Sequence, residues 1–209
     1  MEIKTLVLPP LGTNCYLVKT GEKSGVIIDP ASKGKDIAQA AIAEGIEIRK
    51  ILLTHGHFDH TGGVNEIKAK TDAPVYIHED DVCMLSDANK ALAYFCPSMK
   101  FETKTADVTL KDGDEIEQDG VIFRVMYTPG HSAGSVFFLV ETQEENYMFA
   151  GDTIFKDSIG RSDGYSGDYM VQKETLKKLK SLDKDYIIFS GHGETTTLSE
   201  EKKYNPFLM

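Results

Sequence analysis

The chain has 209 residues, a hydrophobic share of 41% and a formal net charge of −10. At this length a chain buries enough core to fold without disulfides or a structural metal, and no apolar run approaches the roughly 20 residues of a membrane span. The acidic balance argues against nucleic-acid binding, which needs clustered Lys and Arg, and the N-terminus has no signal-peptide pattern.

Short strand-like segments alternate with helical ones along the chain. Residues favouring β-structure predict strands at 3–8, 14–19, 25–30, 50–54, 73–78, 121–128, 135–141, 147–150 and 186–190. Apolar residues at helical spacing predict helices over 36–43, 62–70, 79–85 and 169–182. The stretch 86–105 is irregular, as expected for a loop at the rim of a site. The alternation predicts one layered α/β domain, with functional residues on loops at one sheet end.

Three cysteines, Cys15, Cys83 and Cys96, are odd in number and far apart. They match neither a disulfide framework nor a CxxC metal site. We therefore expect reduced packing thiols and a cytoplasmic protein.

Most of the six histidines follow predicted strands. His55, His57, His131 and His192 do so directly or within a few residues, and Asp152 ends a strand in the same way. The segment 55–60 places three imidazoles and Asp59 within six residues, an arrangement that would be costly to bury without a metal.

The spacing of this segment favours two metals. His55, His57 and Asp59 alternate, so their side chains can turn to one side of an extended loop, with Gly56 allowing a tight bend between them. His60 breaks the alternation and can serve a neighbouring site. Seven candidate ligands exceed the number that one catalytic metal takes while it keeps an open position. His78 is left out as a surface or capping residue.

Four segments together resemble the motif set of the metallo-β-lactamase superfamily: 54–63 (THGHFDHTGG), 128–132 (TPGHS), 150–153 (AGDT) and 190–193 (SGHG). The stretches 155–163 (FKDSIGRSD) and 205–208 (NPFL) resemble its glyoxalase II-like branch. The resemblance implies an αββα four-layer sandwich with metals at one edge. It also implies the short type, a single domain over 1–209 without the C-terminal helical domain that binds glutathione.

The resemblance implies two divalent metals, expected to be zinc, with iron or manganese as alternatives. It assigns His55, His57 and His131 to one metal, and Asp59, His60 and His192 to the other, with Asp152 bridging them. Asp59 and Asp152 would be the catalytic carboxylates.

Further residues carry weaker assignments. Asp29 matches an acid that steadies the ligands from behind, and a simple loop cap is the alternative. Phe58, Arg161 and Tyr165 are candidate substrate-binding residues. For Arg161 an ion pair with Asp163 or Asp168 is the alternative, and for Tyr165 ordinary packing.

The function implied is hydrolysis of a thioester, such as a hydroxyacyl-glutathione, by a metal-bridging hydroxide. We expect a small anionic thioester as the partner, no nucleic acid or membrane, and a monomer or weak homo-oligomer. One alternative is a persulfide dioxygenase with a single iron on His55, His131 and Asp152. A non-catalytic binding domain, β-lactam hydrolysis and nucleic-acid cleavage are less favoured on this fold, which hosts many functions.

Overall fold

A computed structural model describes all residues, 1–209, as two six-stranded sheets packed face to face with helices outside both. The first sheet has the order β1-β2-β3-β4-β5-β6. Its strands are β1 (Glu2–Leu8), β2 (Thr13–Lys19), β3 (Ser24–Ile28), β4 (Glu47–Leu52), β5 (Val75–His78) and β6 (Val108–Leu110). The strands β3 to β6 run parallel, so each pair of neighbours is joined by a crossover connection.

The second sheet has the order β14-β13-β10-β9-β8-β7. Its strands are β7 (Glu115–Gln118), β8 (Val121–Tyr127), β9 (Val136–Glu141), β10 (Asn146–Gly151), β13 (Ile187–Ser190) and β14 (Thr196–Thr197). The strands β9 and β10 form the predicted hairpin, and β10 pairs in parallel with β13. A separate small hairpin, β11 (Ile154–Phe155) and β12 (Ser158–Ile159), follows β10.

The helices are α1 (Gly34–Ala43), α2 (Phe58–Thr61), α3 (Val64–Thr71), α4 (Tyr169–Lys180) and α5 (Leu198–Tyr204), with 3-10 turns at Glu79–Leu85 and Ala93–Phe95. No helix of the chain is long and apolar enough to cross a membrane. The stretch 86–105 is otherwise irregular, as expected.

The alternation of side chains along each strand makes three apolar layers. In β3, Ile27 faces α1 and α3, while Val26 and Ile28 face the second sheet. In β9, Phe138 faces the first sheet, and Phe137 faces α4 and α5. Because each sheet is buried on both faces, the three apolar layers separate four layers of secondary structure, in the order helix, sheet, sheet, helix. The expected αββα four-layer sandwich is confirmed.

Candidate metal centre

The predicted ligands meet at one edge of the sandwich, where strands of both sheets end. His55 and His57 follow β4, and His131 and His192 follow β8 and β13. Asp152 directly follows β10, while Asp59 and His60 lie in the short helix α2. Parallel neighbours deliver their carboxyl ends to the same edge, so residues distant in sequence become neighbours.

Three imidazoles form one group, here called the three-histidine set: His55, His57 and His131. The Nε2 atom of His131 lies 2.9 Å from Nδ1 of His57 and 3.3 Å from Nε2 of His55. Nitrogens bound to one tetrahedral zinc at about 2.0–2.1 Å would lie about 3.3 Å apart. The three ring nitrogens therefore already have nearly the spacing of ligands around one metal.

The second group, here called the mixed set, consists of Asp59, His60 and His192. Oδ2 of Asp59 lies 3.6 Å from Nε2 of His60 and 3.3 Å from Nε2 of His192. Carboxylate oxygen and imidazole nitrogen are both ligands that zinc and related divalent ions accept.

Asp152 lies between the two sets. Its Oδ2 is 3.8 Å from Nε2 of His131 and 3.5 Å from Nε2 of His192, and its Oδ1 is 3.3 Å from Nε2 of His60. Gly191 makes this approach feasible, since a Cβ there would lie 2.1 Å from Oδ1 of Asp152. One carboxylate thus faces both sets.

The two sets have opposite electrostatic character. Burial and the neighbouring imidazole of His131 lower the pKa of His57 to about 3, so this ring offers a lone pair. Burial opposes charge on His192 as well, but hydrogen bonds to Asp152 and Asp59 raise its pKa to about 9. Burial also opposes charge on Asp152, yet His60 and His192 hold the pKa of that carboxyl well below its usual range. The carboxylates are therefore ionised and attract positive charge.

The donor set fits divalent metals. Nε2 of His60 and Oδ1 of Asp152 are buried and have no hydrogen-bond partner, although each costs free energy when left unsatisfied. A cation between the sets would satisfy both, and the clustered nitrogens and oxygens are of the types that divalent metals bind.

Asp29 orients one histidine of each set. Its Oδ2 accepts a hydrogen bond from Nδ1 of His60 at 2.9 Å and another from Oγ1 of Thr54 at 2.6 Å. The Thr54 hydroxyl, whose proton goes to Asp29, lies 3.1 Å from Nδ1 of His55 and can accept from it. Both rings are thereby held with Nε2 free to bind a metal.

The site contains residues that sequence reasoning missed, and Asp81 is one of them. Its Oδ2 accepts hydrogen bonds from the backbone N–H of Gly56 and the hydroxyl of Ser132. Its Oδ1 accepts one from the N–H of Gly134. Asp81 is fully buried in the 3-10 turn after β5, so it ties the loop of His55 and His57 to the loop of His131.

Gly56 also has a role beyond the expected one. Its φ is not positive, and a Cβ there would lie 2.6 Å from Cβ of Met84 and 3.1 Å from the carbonyl oxygen of Asp81. Glycine is therefore required by the close packing of the ligand loop against the turn that carries Asp81, and not by a left-handed backbone.

We predict that Asp81→Asn weakens the site without removing a ligand. An amide can accept at only one of its two positions, so at least one of three buried donors loses its partner, at a cost of about 1–3 kcal/mol. Urea unfolding should show this loss, and titration of the metal-free protein with zinc should show affinity reduced about 10- to 100-fold. Asp183→Asn, which changes a carboxylate at an exposed position, is the matched control. Unchanged zinc affinity in Asp81→Asn would contradict the prediction.

The loop of His192 is held by the first sheet. Thr13 and His192 form an isolated β-bridge, and the side-chain amide of Asn14 donates to the carbonyls of Ser190 and Gly193. The hydroxyl of Thr13 donates to Oδ2 of Asp59 at 3.2 Å. β2 therefore fixes two members of the mixed set from outside the histidine motifs.

A cleft of about 310 Å³ opens onto the centre. Phe58 is buried, yet it contributes to the cleft wall, as expected. Arg161 also borders the cleft, but it forms a two-bond ion pair with Asp163. Tyr165 lies outside the cleft, beside Cys83 and Lys90.

The three cysteines are free thiols. His78 is buried and accepts from the N–H of Asp80 as a cap; it is not at the surface.

Comparison with known proteins agrees with this geometry. Residues 8–192 match the metallo-beta-lactamase superfamily. Hydroxyacylglutathione hydrolase GloC of Haemophilus influenzae is 31% identical over 215 aligned positions, covering 100% of this chain and 98% of its own. BLEG-1, a B3 metallo-beta-lactamase, superposes with a TM-score of 0.91 at 33% identity, covering 100% of both chains. TTHA1623, crystallised in a di-iron-bound form, gives a TM-score of 0.85 at 35% identity, covering 98% of this chain and 100% of its own. The matched span includes both ligand sets, and the chain therefore belongs to the metallo-beta-lactamase superfamily.

Proposed function

We propose that this protein is a hydrolase with two bound divalent metals, expected to be zinc, that cleaves a thioester. The observation that carries the proposal is the placement of Asp152 between two complete ligand sets at the floor of an open cleft. A single metal on the three-histidine set would leave the buried Nε2 of His60 without a partner.

The residues bordering the cleft limit the reaction. They are Leu11, His57, Phe58, Asp59, Leu92, Phe95, His131, Asp152, Arg161 and His192, and none is a serine, threonine or cysteine. Cys15 is fully buried in the core. With no hydroxyl or thiol side chain at the cleft, and with its histidines and aspartates assigned as metal ligands, we propose water as the nucleophile, which makes the reaction a hydrolysis.

The protein supplies ligands, orientation and a proton acceptor. The three-histidine set with Asp152 would hold one metal, and the mixed set with Asp152 the other. Bound divalent metals polarise a carbonyl and lower the pKa of water to near neutrality. Asp59 faces the cleft, and its pKa, which burial raises, is held below its ordinary value by His60 and His192. It stays ionised at neutral pH, so its carboxylate can accept the proton of the attacking water.

The thioester assignment has two supports. The relative from Haemophilus influenzae is named a hydroxyacylglutathione hydrolase, and the stretch 155–163 carries the glyoxalase II-like pattern. In the structure this stretch forms the small hairpin and the segment whose Arg161 carbonyl accepts from Nδ1 of His131 at 2.7 Å. It therefore borders the three-histidine set directly.

The test is thiol release from thioesters by metal-loaded protein, including lactoyl-glutathione and acyl esters of N-acetylcysteamine. A β-lactam and a persulfide with an oxygen electrode serve as comparison substrates, and elemental analysis gives the metal content. We expect two metals per chain and thiol release. No turnover of any thioester by protein with both sites filled would refute the proposal, while one iron per chain with oxygen uptake would favour the dioxygenase.

A further inference from the structure

Part of the cleft lining is apolar. Leu11 and Phe95 border it and are each 51% exposed, and Phe58 and Leu92 complete the surface. Phe95 lies in the 3-10 turn of the irregular stretch, and Leu11 lies in the β1–β2 loop. Exposed apolar side chains that line a cleft beside a candidate metal centre indicate a surface for binding an apolar part of a ligand.

The only cation bordering the cleft, apart from its histidines, is already paired. The guanidinium of Arg161 donates from Nε to Oδ1 of Asp163 at 2.6 Å and from Nη2 to Oδ2 at 3.0 Å. Its flat face lies 4.9 Å from the ring centroid of Phe95. Asp163 occupies one edge of the guanidinium and offsets its charge, while Arg161 also packs against Phe95. A substrate carboxylate at Arg161 would therefore compete with Asp163 for the same cation.

The neighbouring cation is paired as well. Lys156, at the turn of the small hairpin, contacts Oε2 of Glu194 at 2.5 Å. A substrate carboxylate beside Arg161 or Lys156 would lose water and would have to displace Asp163 or Glu194 from its cation, which is unfavourable. An apolar group would cover Leu11 and Phe95 at no such cost.

We propose that the cleft accepts an apolar, uncharged group attached to the scissile thioester, and disfavours charged thiols such as glutathione because Arg161 is paired with Asp163. Leu11, Leu92 and Phe95 determine this specificity. The inference rests on the proposed thioester hydrolysis and narrows its substrate class.

Binding of non-hydrolysable thioethers tests the proposal independently of turnover. Calorimetry on the metal-loaded protein compares S-hexyl-N-acetylcysteamine with S-hexylglutathione, which share the hexyl group and differ in charge. We expect the neutral analogue to bind about tenfold more tightly or better. S-methyl-N-acetylcysteamine, which retains the neutral thiol portion but lacks the long chain, should bind more weakly than the hexyl compound.

Three variants sharpen the test. Phe95→Ala should reduce the ratio of the affinities for S-hexyl- and S-methyl-N-acetylcysteamine by about tenfold. Tyr94 is the adjacent exposed aromatic residue and does not border the cleft, so Tyr94→Ala should leave this ratio unchanged. Asp163→Asn should free Arg161 and shift the preference toward S-hexylglutathione by about threefold or more.

The outcomes separate this inference from the proposed function. Equal or tighter binding of S-hexylglutathione, or no measurable binding of the neutral analogue, overturns the inference. An unchanged preference in Asp163→Asn overturns the assignment of the paired Arg161 as its cause. If the analogues bind as expected while no thioester is hydrolysed, the cleft assignment stands and the thioester hydrolase proposal falls.

Discussion

Replacing Asp152 with alanine should lower kcat/KM for a thioester by about 10³-fold or more and reduce the bound metal from two per chain to one or fewer. The carboxylate faces Nε2 of His131 at 3.8 Å and Nε2 of His192 at 3.5 Å. Its removal deprives both sets of a shared anionic ligand. Asp152→Asn keeps the shape but loses the charge, and should lose nearly as much activity.

The measurement combines steady-state kinetics with elemental analysis of the same protein sample. Asp183→Ala is the matched control, because Asp183 is exposed and no side-chain hydrogen bond or ion pair to it is found. Circular dichroism should show that the Asp152 variants keep the sandwich, since the three apolar layers do not involve this residue. An Asp152→Ala protein with two metals and kcat/KM within tenfold of the wild type would contradict the role assigned to Asp152.

Much of the fold was predictable because its signals are local. The apolar runs at 26–28 in β3 and at 51–53 at the end of β4 are fully buried, so they stand out without any knowledge of their neighbours. The ligands follow such runs within a few residues, which is why the edge of the sandwich that carries them could be predicted. The hairpin of β9 and β10 has a short polar turn between two apolar strands, and this pattern is also local.

Elements with weak local signals were missed. The edge strands β6 and β7 are short and largely exposed, and they alternate apolar residues with Thr and Glu. The helix α5 contains LSEEKKY, with only Leu198 and Glu201 buried. Their conformation depends on tertiary contacts, which propensity does not report. The small hairpin is likewise held from afar, since Asn205 donates to the carbonyls of Phe155 and Ser158.

The supporting residues of the site were missed for the same reason. Asp81 and Thr13 lie 25 and 46 positions from the residues they contact in the ligand loop, and neither belongs to a histidine motif. Asp29 was identified only by resemblance, and its role became clear from its contacts with Thr54 and His60. A sequence can place ligands on a loop, but which buried acid holds that loop is settled by packing.

Removal of the metals should abolish thioester hydrolysis and lower the thermal unfolding midpoint. At a metal concentration about 1,000 times the dissociation constant, each bound metal stabilises the folded state by about 4 kcal/mol, so two metals contribute about 8 kcal/mol. For a chain of this size that amounts to a shift of about 16–32 °C. Without metal, the converging nitrogens of the three-histidine set face one another at 2.9 and 3.3 Å, and the buried Oδ1 of Asp152 has no hydrogen-bond partner.

Calorimetry of chelator-treated protein, before and after addition of zinc, iron or manganese, measures this shift, and elemental analysis gives the number of ions bound. The ion that restores both thiol release and the unfolding midpoint at two per chain is the working metal. His192→Ala should retain roughly half of the stabilisation, because the three-histidine set keeps its ligands while the mixed set loses one. Full thioester turnover by protein shown to be metal-free would contradict the assignment of both sets. If metal binding raised the unfolding midpoint of His192→Ala as much as that of the wild type, the mixed set would contribute no metal binding in the working enzyme.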